Sequence, residues 1–446
     1  MLARVLYHYL RAVRNMRLSS TDLGRLRDSK VRHIIRYAYE NVPLYHQRLK
    51  SKGLTPGDIR GVESLRLLPT LTKTQVFRSL PRGIYSLRPP SRTLTRQTTG
   101  TTGRPLKILW DPNYCDIAQA LWFRRLKMLN VRPWNKVARI IYAGTVRDVS
   151  GDGTPPRPSG FGKLWALTVG PSYTQMPVLG RKTLGIRLDP NELARAVTKL
   201  RPTVIHSQPS CARRLGRFLR GQLRVEMVIS HGELLRKTGR RELADLCQGE
   251  VYETYGVHEF GTVASECTAQ SGMHLNADHQ TFELVRDDEQ VSPGEAGEVV
   301  VTCLDNRAMP LIRYRLGDIA SLHQGPCSCG SSFPRLKEVQ GRTGDGLLTV
   351  DRETRVPAGM VIDYLEGTLG LKDYQLLQRN RRTIVVRLAK QFQTPDVAQT
   401  LRDYLHSLLG SDATLDLASW DNDRLPAKYR PVFSQIPLTD EEKDGA

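Results

Sequence analysis

Between residues 191 and 247 the chain changes pattern at short, regular intervals, and that alternation constrains its fold more than any other feature. The spacing of apolar residues predicts helix over Asn191–Leu200, strand over Thr203–Ser207, helix over Ser210–Leu219, strand over Arg224–Ser230 and helix over Arg240–Cys247. Short apolar strands that alternate with helices form a parallel sheet, because each parallel pairing needs a crossover long enough to bring the chain back to the same edge. Val137–Tyr142 reads as a further buried strand, with an amphipathic helix over Tyr114–Leu129 before it. From about Val251 to Leu322 strands dominate, which suggests a more antiparallel part.

The flanks read differently. Asp22–Tyr39 carries apolar residues at helical spacing, and Asn41-Val42-Pro43 ends that helix. Thr145–Pro171 is rich in glycine and proline and reads as a long surface loop. Gly341-Arg342 opens a tail of distinct composition that reads strand, helix, hairpin, helix, strand, a small α+β module of ferredoxin-like type. With 446 residues the chain has room for two or three domains. The expected division is 1–340 and 341–446.

No apolar run approaches the ~18–20 residues of a membrane span. Met1–Arg17 mixes apolar and basic residues without a continuous apolar core, so a helix packed on the protein is expected rather than a secretory signal. The seven cysteines, an odd number, argue against a disulfide framework and for a reducing cytoplasm. The net charge of +21 is scattered rather than clustered with aromatics, and no nucleic-acid motif accompanies it. Such a charge would attract ATP, a CoA-like thiol or an acidic carrier protein.

Thr98-Thr99-Gly100-Thr101-Thr102-Gly103-Arg104-Pro105 stands beside a predicted strand, Leu106–Trp110. Glycines let backbone N–H groups approach phosphate oxygens, and threonine hydroxyls add donors. The run is neither a Walker loop nor a dinucleotide fingerprint. An ordinary loop has the same composition, so its ligand must be argued from companion motifs.

Those companions occur in order: Ser230-His231-Gly232-Glu233, Tyr255-Gly256-Val257-His258-Glu259, Arg313-Tyr314-Arg315-Leu316-Gly317-Asp318, Gly341-Arg342 and Ala427-Lys428-Tyr429-Arg430. With AYENVPLYHQRLKSKGLTPGDI and LPTLTK near the N-terminus, the set resembles the adenylate-forming superfamily, and within it the phenylacetate–CoA ligase and capsule-biosynthesis-associated branch. The resemblance covers nearly the whole chain. It implies a large N-terminal adenylate-forming domain, built of a parallel α/β sheet plus a strand-rich part, and a small mobile C-terminal domain that turns about Gly341-Arg342.

The resemblance also implies roles. Thr98, Thr99, Gly100, Thr101, Thr102 and Gly103 would cradle the β- and γ-phosphates of ATP, with Arg104 where relatives often carry lysine. Glu259 would stand near Mg2+ and the α-phosphate, as a hard cation requires. Tyr255 would lie beside adenine with Gly256 allowing close approach, and Gly232 and Glu233 would line the nucleotide pocket. Asp318 would accept both ribose hydroxyls, which suits a carboxylate's two oxygens. Arg342 would reach ribose or phosphate. Lys428 would bridge the substrate carboxylate and the α-phosphate, although Ala427 replaces the usual glycine.

Cys267 and His274 have six residues between them, and Cys327 and Cys329 form a Cys-x-Cys. Three thiols and an imidazole suit tetrahedral Zn2+, and with all four positions filled by protein the site would be structural. The resemblance supports this, since the branch carries a Cys/His site there. Cys115, Cys211, Cys247 and Cys303 read as isolated core residues.

The expected activity is ATP-dependent activation of a small-molecule carboxylic acid as its acyl-adenylate, followed by transfer to a thiol such as CoA. The alternative is an amine or other acceptor, or a carrier protein. A homodimer is among the arrangements the resemblance allows.

Overall fold

The computed structural model describes residues 2–90, 93–98, 105–141, 182–185, 190–219, 222–292, 294–351, 354–420 and 429–436. Its helices are α1 (Leu2–Asn15), α2 (Ser20–Asn41), α3 (Pro43–Ser51), α4 (Lys73–Ser79), α5 (Pro112–Met128), α6 (Pro190–Leu200), α7 (Pro209–Phe218), α8 (Lys237–Cys247), α9 (Ala358–Gly367) and α10 (Pro395–Leu409). The first strands are β1 (Leu94–Gln97), β2 (Lys107–Trp110), β3 (Val137–Ile141), β4 (Lys182–Gly185), β5 (Val204–Ser207), β6 (Met227–His231), β7 (Glu250–Val257), β8 (Gly261–Glu266), β9 (Met273–Leu275) and β10 (Gln280–Arg286). They are followed by β11 (Glu289–Gln290), β12 (Ala296–Cys303), β13 (Tyr314–His323), β14 (Arg335–Arg342), β15 (Gly346–Leu348), β16 (Arg355–Pro357), β17 (Tyr374–Gln378), β18 (Thr383–Leu388), β19 (Thr414–Ser419) and β20 (Val432–Ser434).

Twelve of these strands form one sheet among the described residues, in the order β11–β10–β12–β13–β14–β9–β8–β7–β6–β5–β3–β4. The alternating segment supplies the parallel half: β4 with β3, β3 with β5, β5 with β6, and β6 with β7. The strand-rich segment continues the same sheet rather than forming a second one. Its joint is β7, parallel to β6 on one edge and antiparallel to β8 on the other.

One face of the parallel half packs α6, α7 and α8 through Val197, Leu215, Leu243, Ile205, Val228 and Val251. The other packs α5 through Trp122, Leu126, Val137, Val204, Met227 and Ile229. Burying one such aliphatic side chain is worth about 1.5–3 kcal/mol. Asp111 starts α5 by accepting from the Tyr114 N–H at 2.8 Å, with Pro112 in the first turn.

Helix α5 forms where its spacing predicts, and it is covered on both sides. Helix α1 lies over its outer side, with Ala12 against Ile117 and Leu121. Arg4 pairs with Asp116 at 2.7 Å, and the Arg124 guanidinium donates to the Ala12 carbonyl at 3.1 Å. The N-terminal helix therefore packs on the protein as expected, while Leu2, Leu6, Tyr7 and Leu10 stay exposed.

In the tail, β17 and β18 form the hairpin, β19 runs parallel to β18, and β20 runs parallel to β17. Helices α9 and α10 pack on it around Leu347, Val361, Leu376, Ile384, Leu401 and Leu405. An α+β module is present, but the ferredoxin-like order is not. The strand β15 pairs with β16 in a separate ladder and leaves the sheet's edges to parallel strands. Among the described residues no helix is long and apolar enough to cross a membrane.

Candidate functional site

Those residues of the predicted nucleotide site that are described collect where the parallel strands end and β7 turns into β8, the side of an open α/β sheet on which ligands bind. Thr98 lies at the neck of the Thr/Gly loop, between β1 and β2. It is buried, its N–H donates to the Leu106 carbonyl at 3.0 Å, and its hydroxyl oxygen accepts from the Leu106 N–H at 2.9 Å. It thus fixes where the loop begins and ends. Thr99, Gly100, Thr101, Thr102, Gly103, Arg104 and Lys428 lie outside the described residues.

Three predicted residues meet directly. The Tyr255 hydroxyl donates to Asp318 Oδ2 at 2.5 Å, and Arg342 Nε donates to Asp318 Oδ1 at 3.1 Å. Asp318 and Arg342 are register partners on β13 and β14. Asp318 raises the Arg342 pKa, and burial together with Asp318 raises that of Tyr255, so the phenol stays protonated. Gly256 allows a close approach, but to the protein's own backbone. A Cβ there would stand 2.8 Å from the Gly261 carbonyl oxygen, at an irregularity in the β7–β8 ladder.

Glu259 sits in the β7–β8 turn. Its carbonyl accepts from Trp110 Nε1 at 3.1 Å, and its carboxylate accepts from the Tyr314 hydroxyl at 3.4 Å. Burial raises its pKa, opposed by the charges of Arg342 and Lys73, and burial lowers that of Lys73. The sequence reading gave no role to Lys73 or Tyr314, although both lie in segments it quoted, LPTLTK and RYRLGD.

Glu233 faces the tail. It accepts from the Ser210 N–H at 3.0 Å and the Ser210 hydroxyl at 2.8 Å, at the start of α7, and from the Tyr429 N–H at 3.4 Å. Gly232, exposed with φ of +79°, makes the turn out of β6. Further contacts join the two parts: Thr238 donates to Glu366 at 2.7 Å, and Arg217 pairs with Asp373. Gly341 and Arg342 are the last residues of β14, so they belong to the large sheet.

The four predicted metal ligands converge, their ligand atoms lying within 4.8 Å of one another. Cys267 Sγ is 3.7 Å from Cys327 Sγ, and Cys329 Sγ is 3.3 Å from His274 Nε2. A tetrahedron with Zn–S bonds of about 2.3 Å has edges of about 3.8 Å, so the set fits that ion. The Phe333 carbonyl, which only accepts, lies 3.3 Å from His274 Nδ1. Nδ1 therefore carries the ring proton, and Nε2 faces the thiols with its lone pair. Of the other cysteines, Cys211, Cys247 and Cys303 are buried, and burial pushes all three thiols up to about 12. Burial does the same to Cys115, which is part-buried.

Sequence reasoning missed a second group. Arg125, Arg139 and His231 stand together between α5 and the sheet, with no acidic residue of the described chain acting on them. Isolated arginines in apolar stretches gave no sign of it.

No family model matches the chain. It is similar to a phenylacetate–coenzyme A ligase of Thermus thermophilus, with 27% identity over 342 residues, 74% of this chain and 73% of that one. A phenylacetate–coenzyme A ligase of Escherichia coli is 24% identical over 402 residues, 86% of this chain and 85% of its own. Among solved structures, the fold matches 2-hydroxyisobutyryl-CoA ligase in its postadenylation state with a TM-score of 0.74 and 17% identity, covering 96% of this chain and 92% of that one.

Proposed function

The chain is a phenylacetate–CoA ligase-like member of the adenylate-forming superfamily, and from that premise we propose that it activates a carboxylic acid with ATP and passes the acyl group to CoA. In the first step an oxygen of the acid attacks the α-phosphorus, the bond to the β-phosphate oxygen breaks, and pyrophosphate leaves. In the second step the CoA sulfur attacks the acyl carbon, its thiol proton goes to solvent, and AMP leaves. Two easier steps replace one hard condensation.

The observation that carries this reading is the Tyr255–Asp318–Arg342 constellation beside Glu259, at the carboxyl ends of the parallel strands. Asp318 is the group for the ribose diol, held in place by a phenol and a guanidinium. Glu259 is a carboxylate oxygen donor of the kind Mg2+ takes, and Mg2+ arriving with ATP would neutralise phosphate charge. Thr98 anchors a loop whose glycines and threonines suit the β- and γ-phosphates. Lys428 is assigned to the attacked α-phosphate, where a positioned cation stabilises developing charge.

Cys267, His274, Cys327 and Cys329 would hold a structural Zn2+ that ties β9 to the loop before β14. Seven unpaired thiols suit a reducing, cytoplasmic setting. The tail beyond Arg342 would rotate between the two steps, exchanging contacts such as Thr238–Glu366.

The test is acid-dependent exchange of labelled pyrophosphate into ATP, followed by thioester formation with CoA, for the wild type and Lys428→Ala. Exchange that requires an acid and falls by about a hundredfold or more in Lys428→Ala supports the reading. Undiminished exchange removes Lys428 from the first step. Amide formation without thioester formation would replace CoA by an amine acceptor.

A further inference from the structure

The face of the sheet that packs on α5 changes character along the strands. Val137, Val204, Met227 and Ile229 meet Trp122, Leu126 and Leu129 in a dry cluster. Farther toward the carboxyl ends the same face carries an arginine and two histidines. Arg139 lies two residues beyond Val137 and so shares its face. His206 is its register partner on β5. His231 lies two residues beyond Ile229, which is the register partner of His206. The His206 and His231 rings are 4.3 Å apart.

From the opposite side comes Arg125, on α5. The connection over residues 129–136 turns the chain back, so α5 runs against β3. Helical side chains lean toward their N-terminus, which carries this guanidinium toward the strands' carboxyl ends.

Arg125 is buried in this recess, Arg139 and His231 are part-buried, and several of their donors have no acceptor among the described residues. Arg125 is 3% exposed. Among the described residues its Nε and Nη2, the Nε of Arg139, the Nε2 of His231 and the hydroxyl of Thr254 have no hydrogen-bond partner. Thr254 is the register partner of His231. The charges that act on Arg125, Arg139 and His231 are those of one another and of Arg96, all positive. Burial and this mutual repulsion lower Arg125 to about 9 and Arg139 to about 10.

A buried guanidinium beside a part-buried one, with no carboxylate near them among the described residues, is costly, since a buried charge is tolerated when it is paired. A site that waits for an anion explains why they stand there. The recess also borders the adenylation site. The Arg96 guanidinium lies 4.4 Å over the Trp110 ring, and Trp110 donates to the Glu259 carbonyl. Thr254 directly precedes Tyr255.

We infer that the acid this protein takes carries a second anionic group, a carboxylate, sulfonate or phosphonate, which seats among Arg125, Arg139 and His231 while the reacting carboxylate faces the α-phosphate. The inference rests on the adenylation reading and narrows it from carboxylic acids in general to dianionic ones. Arginine's planar fork suits bidentate recognition of such oxyanions.

Matched pairs test it: hexanoate against adipate, benzoate against terephthalate, propionate against sulfoacetate. Pyrophosphate exchange should favour the dianion of at least one pair by on the order of a hundredfold in kcat/KM, because a neutral analogue leaves buried donors unpaired. Arg125→Met and Arg139→Met should erase that preference by raising the KM of the dianion. A neutral acid preferred throughout overturns the inference. So does a variant in which the KM of ATP rises instead, which would give the recess to the triphosphate.

A binding arm separates this inference from the reading beneath it. Without ATP, adipate, terephthalate or sulfoacetate should raise the Tm of the wild type and not of Arg125→Met, which loses the buried guanidinium and its contact with the Trp122 ring 5.5 Å away. If no acid supports exchange, the adenylation reading fails. The dianion site then stands if an Arg125-dependent Tm shift is seen and falls if none is.

Discussion

Tyr255 donates its hydroxyl hydrogen to Asp318 across 2.5 Å, and this contact joins the end of β7 to the middle of β13. It fixes a carboxylate whose other oxygen is held by Arg342. Charge-assisted bonds of this kind orient a group as well as stabilise it. Tyr255→Phe should therefore keep the fold and raise the KM of ATP by about tenfold. Asp318→Ala, which removes the proposed ribose acceptor itself, should raise it by about a hundredfold or more. Exchange rates measured against ATP concentration check both. Equal effects from the two changes would mean that Tyr255 does more than orient Asp318.

The Cys267–His274–Cys327–Cys329 cluster should copurify with about one equivalent of zinc per chain, read by elemental analysis. Cys327→Ser should lose the metal and lower Tm by on the order of 5 °C or more, because binding free energy at such a site is folding free energy. Acid-dependent exchange should persist at temperatures where the variant is folded, since no ligand position is left for chemistry.

How much of this was legible follows physical lines. Strand β4 gave no sign, but the centre of the parallel half announced itself because β5 and β6 are short, apolar and each followed by a helix of matching period. The joint at β7 did not, because a strand that pairs parallel on one edge and antiparallel on the other has no signature of its own. Motif residues such as Asp318, Arg342 and Glu259 were visible through their neighbours in sequence. The Arg125–Arg139–His231 group was not, since its members come from three elements and only the sheet register brings them together. The cover over α5 was not legible for a related reason, as the helix that supplies it is about 100 residues earlier in the chain.

Glu253 gives a pH test. Burial and the nearby Glu266 carboxylate push it from 4.5 up to about 8, against the attraction of Arg240 and Arg236. One guanidinium serves both acids: Arg240 Nη2 is 2.9 Å from Glu266 and 3.6 Å from Glu253. A carboxyl raised in the folded state binds its proton more tightly there than in the unfolded chain. It therefore supports the fold below about pH 4.5, and that support is lost as pH rises toward about 8. Glu253→Gln should flatten this decline and gain on the order of 2 kcal/mol at the upper end. Denaturant unfolding of both proteins across that range checks it. An unchanged slope would place the proton elsewhere.

Arg124 and Asp278 form the most deeply buried ion pair among the described residues, 2.8 Å long with side chains 1% and 0% exposed. Asp278 also accepts from Asn15 at 2.9 Å, and Arg124 donates to Asn276 at 2.5 Å and to the Ala12 carbonyl. The pair thus joins α1, α5 and the loop between β9 and β10. Removing one charge leaves the other buried without compensation, so Asp278→Asn should cost about 3–5 kcal/mol. Replacing both partners, as Arg124→Met with Asp278→Asn, should recover part of that loss, because the orphaned guanidinium is then gone. Unfolding free energies of the two singles and the double give the coupling directly. Strict additivity would mean that the two residues stabilise the fold through separate contacts rather than through each other.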